Sequence, residues 1–433
     1  MRLIWILPIF CIILSCSNGK KKSPEGISVF ADLVNIKTDD SLSKIDIKIP
    51  PQKDNQFWFG YNSDNNLSIE NFSIASNLKI TKSIWSGYRP DFSDRMVSEP
   101  IIANKKIYLL DAKGKLSCRN LSDYKKLWKT DIIDFWSIKN FSNGKISYFE
   151  NKIFVSTGYN LIAAVDSENG NIIWSKTIGA IPVSAPISNG NKVFVTTNDN
   201  KTYALDSKTG EILWIHSGIL KNTGIMGAAN PVVYNNNVVV GYSSGEIYLL
   251  NDNNGDLMWS HDLNQTKAIN SDFILNDVDA TPIVKDDVIY AIGNGGLMLA
   301  INGKNGNILW QEELSSIADF WIAGDFIYLI NNDNQLISLY KKTGGVKWLA
   351  QLKKYKDEKN PESKIIYNGL IMAGDHLILS DINRKLLIIS PLDGKIIKTI
   401  NTEQKIYHTP IVVDKKLYLH TIGRFSVDLL VVE

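Results

Sequence analysis

The feature that most constrains the fold of this chain is an internal repeat. Four segments share a pattern in which Asp or Asn is followed four residues later by Gly and, after four more residues, by Trp. They are AVDSENGNIIW (164–174), ALDSKTGEILW (204–214), LLNDNNGDLMW (249–259) and AINGKNGNILW (300–310). Segments that recur at a period of this length indicate a repeat architecture, in which neighbouring units bury each other's faces.

Weaker copies extend the repeat over most of the chain. SLYKKTGGVKW (338–348) keeps Gly and Trp, IISPLDGKIIK (388–398) keeps Gly, and CRNLSDYKKLW (118–128) keeps Trp. With Trp85 in LKITKSIW, the frame positions are 85, 128, 174, 214, 259, 310, 348 and 398, which are 38 to 51 residues apart. Such spacings suit four short strands per unit with variable loops, so the sequence predicts eight units.

Each unit is predicted to be an antiparallel sheet of four strands. An apolar strand such as Leu161–Val165 is followed by a turn containing Asp or Asn and Gly, and then by the strand that carries Trp. Upstream segments such as APISNGNKVFVTT (185–197) contain two further strands around a turn. Sheets of this kind bury both faces when they stack radially and close a ring, which predicts an all-β, eight-bladed β-propeller over residues 57–433.

The two ends of the predicted ring are expected to share one blade. Residues 408–430 supply three strands but no fourth strand with Trp. The strand of Trp85 precedes the first complete unit and can fill that place, which would close the ring. The tryptophans of the repeat recur at one structural position, so they are predicted to pack between blades and not to bind a ligand.

The N-terminus has the pattern of a signal peptide, predicted over residues 1–15. Arg2 precedes an apolar run from Leu3 to Leu14 that is shorter than the roughly 20 residues of a membrane span. The sequence Ile-Leu-Ser-Cys that ends at Cys16 resembles the lipobox of bacterial lipoproteins, which implies acylation of Cys16, with palmitate among the acyl groups, and a durable membrane anchor. The alternative is that Cys16 is a small residue near an ordinary cleavage site.

The polar stretch that follows is predicted to be a lipidated tether over residues 16–56, with room for one docked segment. Ser17 after the cysteine resembles the outer-membrane sorting pattern of Gram-negative lipoproteins, which implies a lipid-anchored protein on the periplasmic face of that membrane. Cys118 is the only cysteine beyond the anchor, so no disulfide within the folded body is available. Without Arg2 the chain has 46 basic and 45 acidic residues, a balance that gives no electrostatic case for nucleic acid.

The repeat pattern resembles the quinoprotein (PQQ-type) propeller repeat, in which Trp docks between blades. The order of lipoprotein signal, tether and eight repeats resembles the BamB family of the outer-membrane β-barrel assembly machinery, particularly its alphaproteobacterial type. LNDVDATPIV (275–284) resembles the Asp-Val-Asp-x-Thr-Pro segment of that family. The resemblance implies a non-catalytic scaffold that binds the POTRA domains of BamA within the Bam complex and assists insertion of β-barrel proteins, with unfolded outer-membrane proteins as further candidate partners.

The same resemblance implies two contact segments. The acidic pair of the family corresponds to Asp277 and Asp279, and an apolar-apolar-basic segment corresponds to Gly224, Ile225 and Met226. Met226 stands where the family has Arg, which puts the charged part of the contact in doubt. Both segments join an outermost strand to the next innermost strand, so they are predicted to emerge on one face of adjacent blades. Local turn bonds for the two Asp residues and blade coverage for Ile225 and Met226 are the alternatives.

No catalytic, cofactor or metal site is predicted. PQQ-dependent dehydrogenases have similar repeats, but their vicinal cysteine pair is absent and no carboxylate cluster resembles a calcium loop. The five histidines show no metal-ligand spacing, no Gly-x-Ser-x-Gly motif occurs, and residues 293–296 form a hairpin turn and not a phosphate-binding loop. A dehydrogenase-like enzyme and a propeller that binds a peptide or glycan in its channel remain the alternatives, and capture of a partner other than BamA would favour the latter.

Overall fold

The computed structural model describes residues 36–60, 70–88, 98–133, 144–220, 229–264, 276–423 and 426–433. Across these ranges the strands, numbered in chain order, form eight antiparallel sheets. Two short 3-10 turns, Asp40–Lys44 and Pro361–Ser363, are the helical elements of the described residues. The predicted all-β propeller of eight antiparallel blades is therefore confirmed.

Seven blades each consist of four consecutive strands, the first of which is innermost. In the first three blades these are β2 (Ile101–Ala103), β3 (Lys106–Leu110), β4 (Lys115–Asn120) and β5 (Lys126–Asp131); β6 (Lys145–Phe149), β7 (Lys152–Ser156), β8 (Leu161–Asp166) and β9 (Ile172–Thr177); and β10 (Ile187–Ser188), β11 (Lys192–Thr196), β12 (Lys201–Asp206) and β13 (Ile212–Ser217). The fourth and fifth blades contain β14 (Val232–Tyr234), β15 (Asn237–Gly241), β16 (Glu246–Asn251) and β17 (Leu257–Asp262), and β18 (Ile283–Lys285), β19 (Val288–Ile292), β20 (Met298–Asn302) and β21 (Ile308–Glu312). The sixth and seventh contain β22 (Trp321–Ala323), β23 (Phe326–Ile330), β24 (Gln335–Tyr340) and β25 (Val346–Gln351), and β26 (Tyr367–Ala373), β27 (His376–Asp381), β28 (Lys385–Ile389) and β29 (Ile396–Asn401).

The eighth blade combines strands from both ends of the ring. β33 (Ser426–Val432) pairs on one side with β32 (Lys416–Ile422) and on the other with β1 (Ile80–Tyr88). β30 (Lys405–Ile406) and β31 (Ile411–Val413) complete this sheet along β32. The prediction that the strand of Trp85 closes the ring is confirmed.

Tryptophans on the outermost strands link most blades to the next one. The indole N–H of Trp174 donates to the backbone oxygen of Ser207 at 3.1 Å, and a Cβ built on Gly210 would lie 2.6 Å from the indole ring. We call this pair of contacts the Trp–Gly latch. The latch recurs in the described chain for the pairs Trp128–Gly170, Trp214–Gly255, Trp259–Gly306, Trp310–Gly344 and Trp348–Gly394. The predicted packing of the repeat tryptophans between blades is thus observed.

The two seams beside the eighth blade lack this latch among the residues described. Lys398 of the seventh blade stands at the position of the tryptophan and pairs with Ile388. On the eighth blade Trp85 is 46% exposed, against 8% for Trp174. The blade that follows has Tyr124 with φ of 63° in place of the glycine. A side chain at that place leaves no room for the indole contact that Trp174 makes with Gly210, and Arg119 of the first blade instead donates to the backbone oxygen of Trp85 at 2.9 Å across the seam.

Residues 36–60 and 70–79, which we call the N-terminal segment, lie along the face that carries the turns between the first and second strands of each blade. Trp58 bonds with the innermost strand of the first blade and Phe72 with that of the seventh. Trp321 of the sixth blade donates its indole N–H to the backbone oxygen of Glu70 at 2.8 Å. Trp58 and Phe72 are 2% and 0% exposed, so the segment is part of the core at this end of the channel.

The described part of the predicted tether is docked. Residues 36–56 of the stretch 16–56 contact the propeller, because the amide of Asp39 donates to Val346 at 2.8 Å and the ammonium of Lys347 donates to the backbone oxygen of Leu42 at 2.7 Å. The predicted signal peptide and Cys16 lie outside the described residues. The part of the chain that the structure describes holds no helix with the length and hydropathy of a membrane span.

Candidate partner-binding face

The face opposite the N-terminal segment is formed by connections from an outermost strand to the next innermost strand. Residues 276–282 belong to the connection between β17 and β18. Val278 donates its amide to Tyr242 at 3.2 Å and accepts from the amide of Ala229 at 3.1 Å. Ala229 lies just before β14, so these bonds bring the described parts of two neighbouring connections side by side.

The acidic pair lies at this point, and its two members have different surroundings. Asp277 is 1% exposed, and its backbone oxygen accepts from the amide of Asn294 at 2.9 Å. Asp279 is half-buried. Burial, together with the negative charges of Asp277 and Asp319, raises the pKa of Asp279 to about 7, although Lys145 opposes this shift. Asp279 has more exposed surface than Asp277, but the carboxylate oxygens of both residues are buried. Gly224, Ile225 and Met226 lie outside the described residues.

Asp279 belongs to a group of ionisable side chains at the mouth of the central channel, which we call the channel group. Its other members are Glu99 and Asp319, each two residues before an innermost strand, and Lys145, the first residue of β6. Lys145 interacts electrostatically with Asp319, Asp279 and Glu99. These carboxylates come from the sixth, fifth and first blades. Since the sixth blade is opposite the second in a ring of eight, the electrostatic interaction of Lys145 with Asp319 acts across the channel.

Loss of water dominates the electrostatics of the channel group. Burial lowers the pKa of Lys145, although the three carboxylates oppose this shift. Burial also raises the pKa of Asp319 to about 6, against the effect of a 2.7 Å hydrogen bond that Asp319 accepts from the amide of Thr281. The lowered pKa of Lys145 and the raised pKa of Asp319 both favour the neutral form of the side chain, as expected where protein replaces solvent. With three carboxyl groups and one amine, the mouth becomes acidic as the carboxyl groups ionise with rising pH, and it then complements a cationic group.

The chain can now be compared with known proteins. The sequence profile described as outer membrane protein assembly factor BamB matches residues 125–350, just over half of the 433 residues. The chain belongs to the BamB family. BamB of Salmonella typhimurium is 28% identical over 231 residues, which are 52% of this chain and 59% of that protein. The chain thus spans 59% of the length of this curated relative.

Solved structures show the same fold. BamB from Moraxella catarrhalis superposes with a TM-score of 0.69 at 20% identity, over 82% of this chain and 99% of that one. Quinohemoprotein alcohol dehydrogenase from Comamonas testosteroni superposes with a TM-score of 0.63 at 11% identity, over 84% of this chain and 78% of that one. At sequence identities this low, the superpositions establish a shared fold and nothing about a shared function.

Two observations bear on metal binding and on thiol chemistry in the residues that the structure describes. Across the described residues, no group of three or more His, Cys, Asp or Glu side chains is arranged to hold a metal ion. Cys118 is buried, and burial raises the pKa of its thiol to about 12, so it stays protonated and unreactive.

Sequence analysis identified Asp279 but missed Glu99, Lys145 and Asp319. A signal was present in the repeat, because the place two residues before the innermost strand is filled by Glu99, Ala185, Asn230, Thr281, Asp319 and Thr409 in six blades. Charges at a place that is small or polar elsewhere mark Glu99 and Asp319, and Lys145 has the same register, because each of the three lies four residues before the last residue of its innermost strand. Comparing repeat positions that vary, and not only those that recur, would have found them.

Proposed function

We propose that this BamB-family protein is a non-catalytic scaffold lipoprotein of the outer-membrane protein assembly machinery, which binds the POTRA domains of BamA and assists insertion of β-barrel proteins. The observation that carries the proposal is the family match over residues 125–350. In this proposal Cys16 carries the lipid that anchors the protein to the periplasmic face of the outer membrane. Unfolded outer-membrane proteins are further candidate partners.

The candidate contact is the face that carries the channel group. Asp279 is half-buried there, and the acidic mouth favours a partner with a basic patch, because complementary charges steer and orient association. Asp277 is 1% exposed and fixed through its backbone, so its contribution is to hold the connection in place. Ile225 and Met226 would supply the apolar part of the contact, from the adjacent connection.

Co-purification of BamA from detergent-solubilised membranes tests this proposal. Asp279→Arg should lower the recovery of BamA at least tenfold, because it reverses the charge at the centre of the candidate contact. Asp325→Arg is the matched control, since Asp325 is an exposed residue in a turn on the opposite face. Asp279→Asn provides a milder change if the arginine disturbs the channel.

Equal recovery of BamA with Asp279→Arg, Asp279→Asn and the unchanged protein, all folded by circular dichroism, would remove Asp279 from the contact. Failure of the unchanged protein to recover BamA would overturn the proposed function itself.

The anchor has its own test. Cys16→Ala should abolish incorporation of radiolabelled palmitate, because it removes the thiol that is acylated. Cys11→Ala is the matched control, because Cys11 lies within the predicted signal peptide and should leave labelling unchanged. Palmitate labelling that persists in Cys16→Ala would contradict the assignment.

A further inference from the structure

A separate cavity lies on the face of the N-terminal segment. It encloses about 690 Å³ among turns of the second, third and fourth blades. This volume is within the roughly 300–1,000 Å³ of small-molecule sites. We propose that this cavity binds a neutral oligosaccharide. The proposal is independent of the proposed function, because the cavity lies at the opposite end of the channel from the candidate BamA contact.

One wall of the cavity is apolar and rigid. Phe59 stacks on Tyr148 with ring centroids 5.2 Å apart, and Phe57 stacks on Phe59 at 4.8 Å. Tyr148 in turn stacks at 6.1 Å on Tyr108, which is fully buried. This column of rings anchors the wall to the core of the first two blades. A wall of ring carbons suits the C–H face of a sugar ring, which is apolar although its edge carries hydroxyls.

The opposite rim is formed by asparagines on tight turns. Asn189 is fixed, because its Nδ2 donates to Asp252 at 2.8 Å and its Oδ1 accepts from the amide of Lys192 at 2.9 Å. Asn191 and Asn236 are exposed beside it. A carboxamide both donates and accepts, as does a hydroxyl, so pairs of asparagines match neighbouring hydroxyls of a sugar. Their placement on turns of rigid blades lowers the entropic cost of binding.

The charge of the lining excludes an anionic ligand. Among the lining residues, all of which the structure describes, Lys192 is the one basic side chain. Its ammonium is already engaged, 3.0 Å from Asn253 and 3.7 Å from Asp252. Glu150 adds a further carboxylate. A phosphate or a carboxylate would meet no available cation here, whereas a neutral sugar does not need one.

The rim also disfavours a peptide. A peptide that adds to a sheet requires an edge with unpaired amides. In the third blade the amide of Gly190 donates to Ser188 Oγ at 3.0 Å, and that of Lys192 donates to Asn189. These two turn amides are therefore satisfied by side chains, and the polar groups left to a ligand are side chains, most of them carboxamides.

The proposal is tested with the full chain in detergent, using saturation-transfer NMR and titration calorimetry. The probes are the neutral trisaccharides maltotriose and tri-N-acetylchitotriose, and triglycine represents a peptide. We expect saturation transfer to ring protons of at least one trisaccharide and none to triglycine. The double variant Asn191→Ala/Asn236→Ala should weaken binding at least tenfold, because both side chains are exposed and their removal should leave the turns folded.

Asn401→Ala is the matched control, since Asn401 is an exposed asparagine on the outermost strand of the seventh blade. Phe59→Ala tests the wall independently and should also weaken binding at least tenfold. Sedimentation with insoluble cell-wall glycan, compared with the soluble trisaccharides, distinguishes a polymeric source of the ligand from a free sugar. The proposal is overturned if neither trisaccharide nor the polymer binds the folded protein, if triglycine binds in their place, or if the double variant and Phe59→Ala bind as the unchanged protein does.

Discussion

The indole ring of Trp174 covers Gly210 of the next blade so closely that a Cβ on the glycine would lie 2.6 Å from Cε3 of the ring. Gly210 also adopts φ of 74°, where residues with a side chain are strained. One glycine therefore serves both its own turn and the seam with the preceding blade. This double role explains why Gly and Trp recur together, because the Trp of one unit packs on the Gly of the next unit.

Gly210→Ala should lower the free energy of unfolding by about 2–4 kcal/mol. Backbone strain at positive φ contributes about 1 kcal/mol, and the collision with Trp174 adds about 1–3 kcal/mol. Urea denaturation followed by tryptophan fluorescence would measure the loss.

Gly114→Ala separates these two contributions. Gly114 has a similar φ of 69°, but its Cβ would meet Ile133 at an ordinary 3.5 Å. We therefore expect only the strain cost, about 1 kcal/mol. Equal losses for the two variants would show that the contact with Trp174 adds nothing to the seam.

The repeat specified the ring, the blade count and the closing strand because those features depend on local pattern. A turn followed by Trp defines the same hairpin wherever it occurs, so positions such as Trp310 could be placed from the sequence alone. The strand of Trp85 was placed by elimination, because the last blade lacked a fourth strand. The exposure of the Trp85 side chain could not be predicted from the repeat, because it depends on Tyr124 standing in place of the glycine in the next blade.

The candidate site was less predictable, because it depends on contacts across the ring. Lys145 and Asp319 are separated by more than 170 residues, and no spacing rule relates them. The sequence predicted room for one docked segment within residues 16–56 and a propeller over residues 57–433, but the burial of Trp58 and Phe72 could not be predicted, because they lie in a stretch without periodicity. Isolated aromatic residues in such a stretch can be buried wherever the end of a channel accommodates them.

Phe72→Ala should cost about 3–5 kcal/mol, the usual range for removal of a fully buried phenylalanine. Phe72 is 0% exposed and packs beside Trp58 and Trp321, with ring centroids 6.1 and 5.6 Å away. Loss of this anchor should release the N-terminal segment, so limited proteolysis should cut within residues 36–60 much faster than in the unchanged protein.

Phe57→Ala is the matched control, because Phe57 is 37% exposed. It should cost less than about 1 kcal/mol, as is usual for surface positions. Unchanged protease resistance in Phe72→Ala would mean that other contacts hold the segment.

Acid should weaken the eighth blade through His420. This side chain is 4% exposed, stacks on His408 at 5.3 Å and lies 3.3 Å from the hydroxyl of Ser86 on β1. Burial, with a contribution from His408, holds the pKa of His420 well below its usual range. The unfolded chain protonates this histidine near pH 6.5 whereas the folded chain does not, so stability is complete above about pH 6.5 and is lost as the pH falls.

Denaturation in urea at pH 7.5 and pH 5.5 measures this effect. His420→Gln, which keeps a polar partner for Ser86, should lose less stability between the two pH values than the unchanged protein. One proton contributes up to about 1.4 kcal/mol per pH unit. His376→Gln, on the seventh blade, is the matched control variant. An identical dependence in His420→Gln would rule out this histidine as the cause.

Lys145 should contribute most to the free energy of unfolding when the carboxyl groups of the channel group are ionised. Burial raises the pKa of Asp319 to about 6 and that of Asp279 to about 7, above their unfolded values near 4. The folded chain therefore binds these protons more tightly, and ionisation as the pH rises to 8 disfavours the fold. Lys145→Met would remove the cation that offsets this charge, with an expected cost of about 3 kcal/mol at pH 8 and less at pH 5.5.

A double-mutant cycle with Asp319→Asn tests whether the two side chains meet across the channel. Asp319→Asn should recover part of the stability lost in Lys145→Met, and a coupling of about 0.5–3 kcal/mol at pH 8 is expected for groups in contact. Lys115→Met removes one partner of an exposed ion pair with Asp131 at 2.9 Å and should cost less than about 1 kcal/mol. A coupling free energy of zero between positions 145 and 319 at pH 8 would mean that Lys145 and Asp319 do not interact. The charges at the mouth of the channel would then act independently of each other.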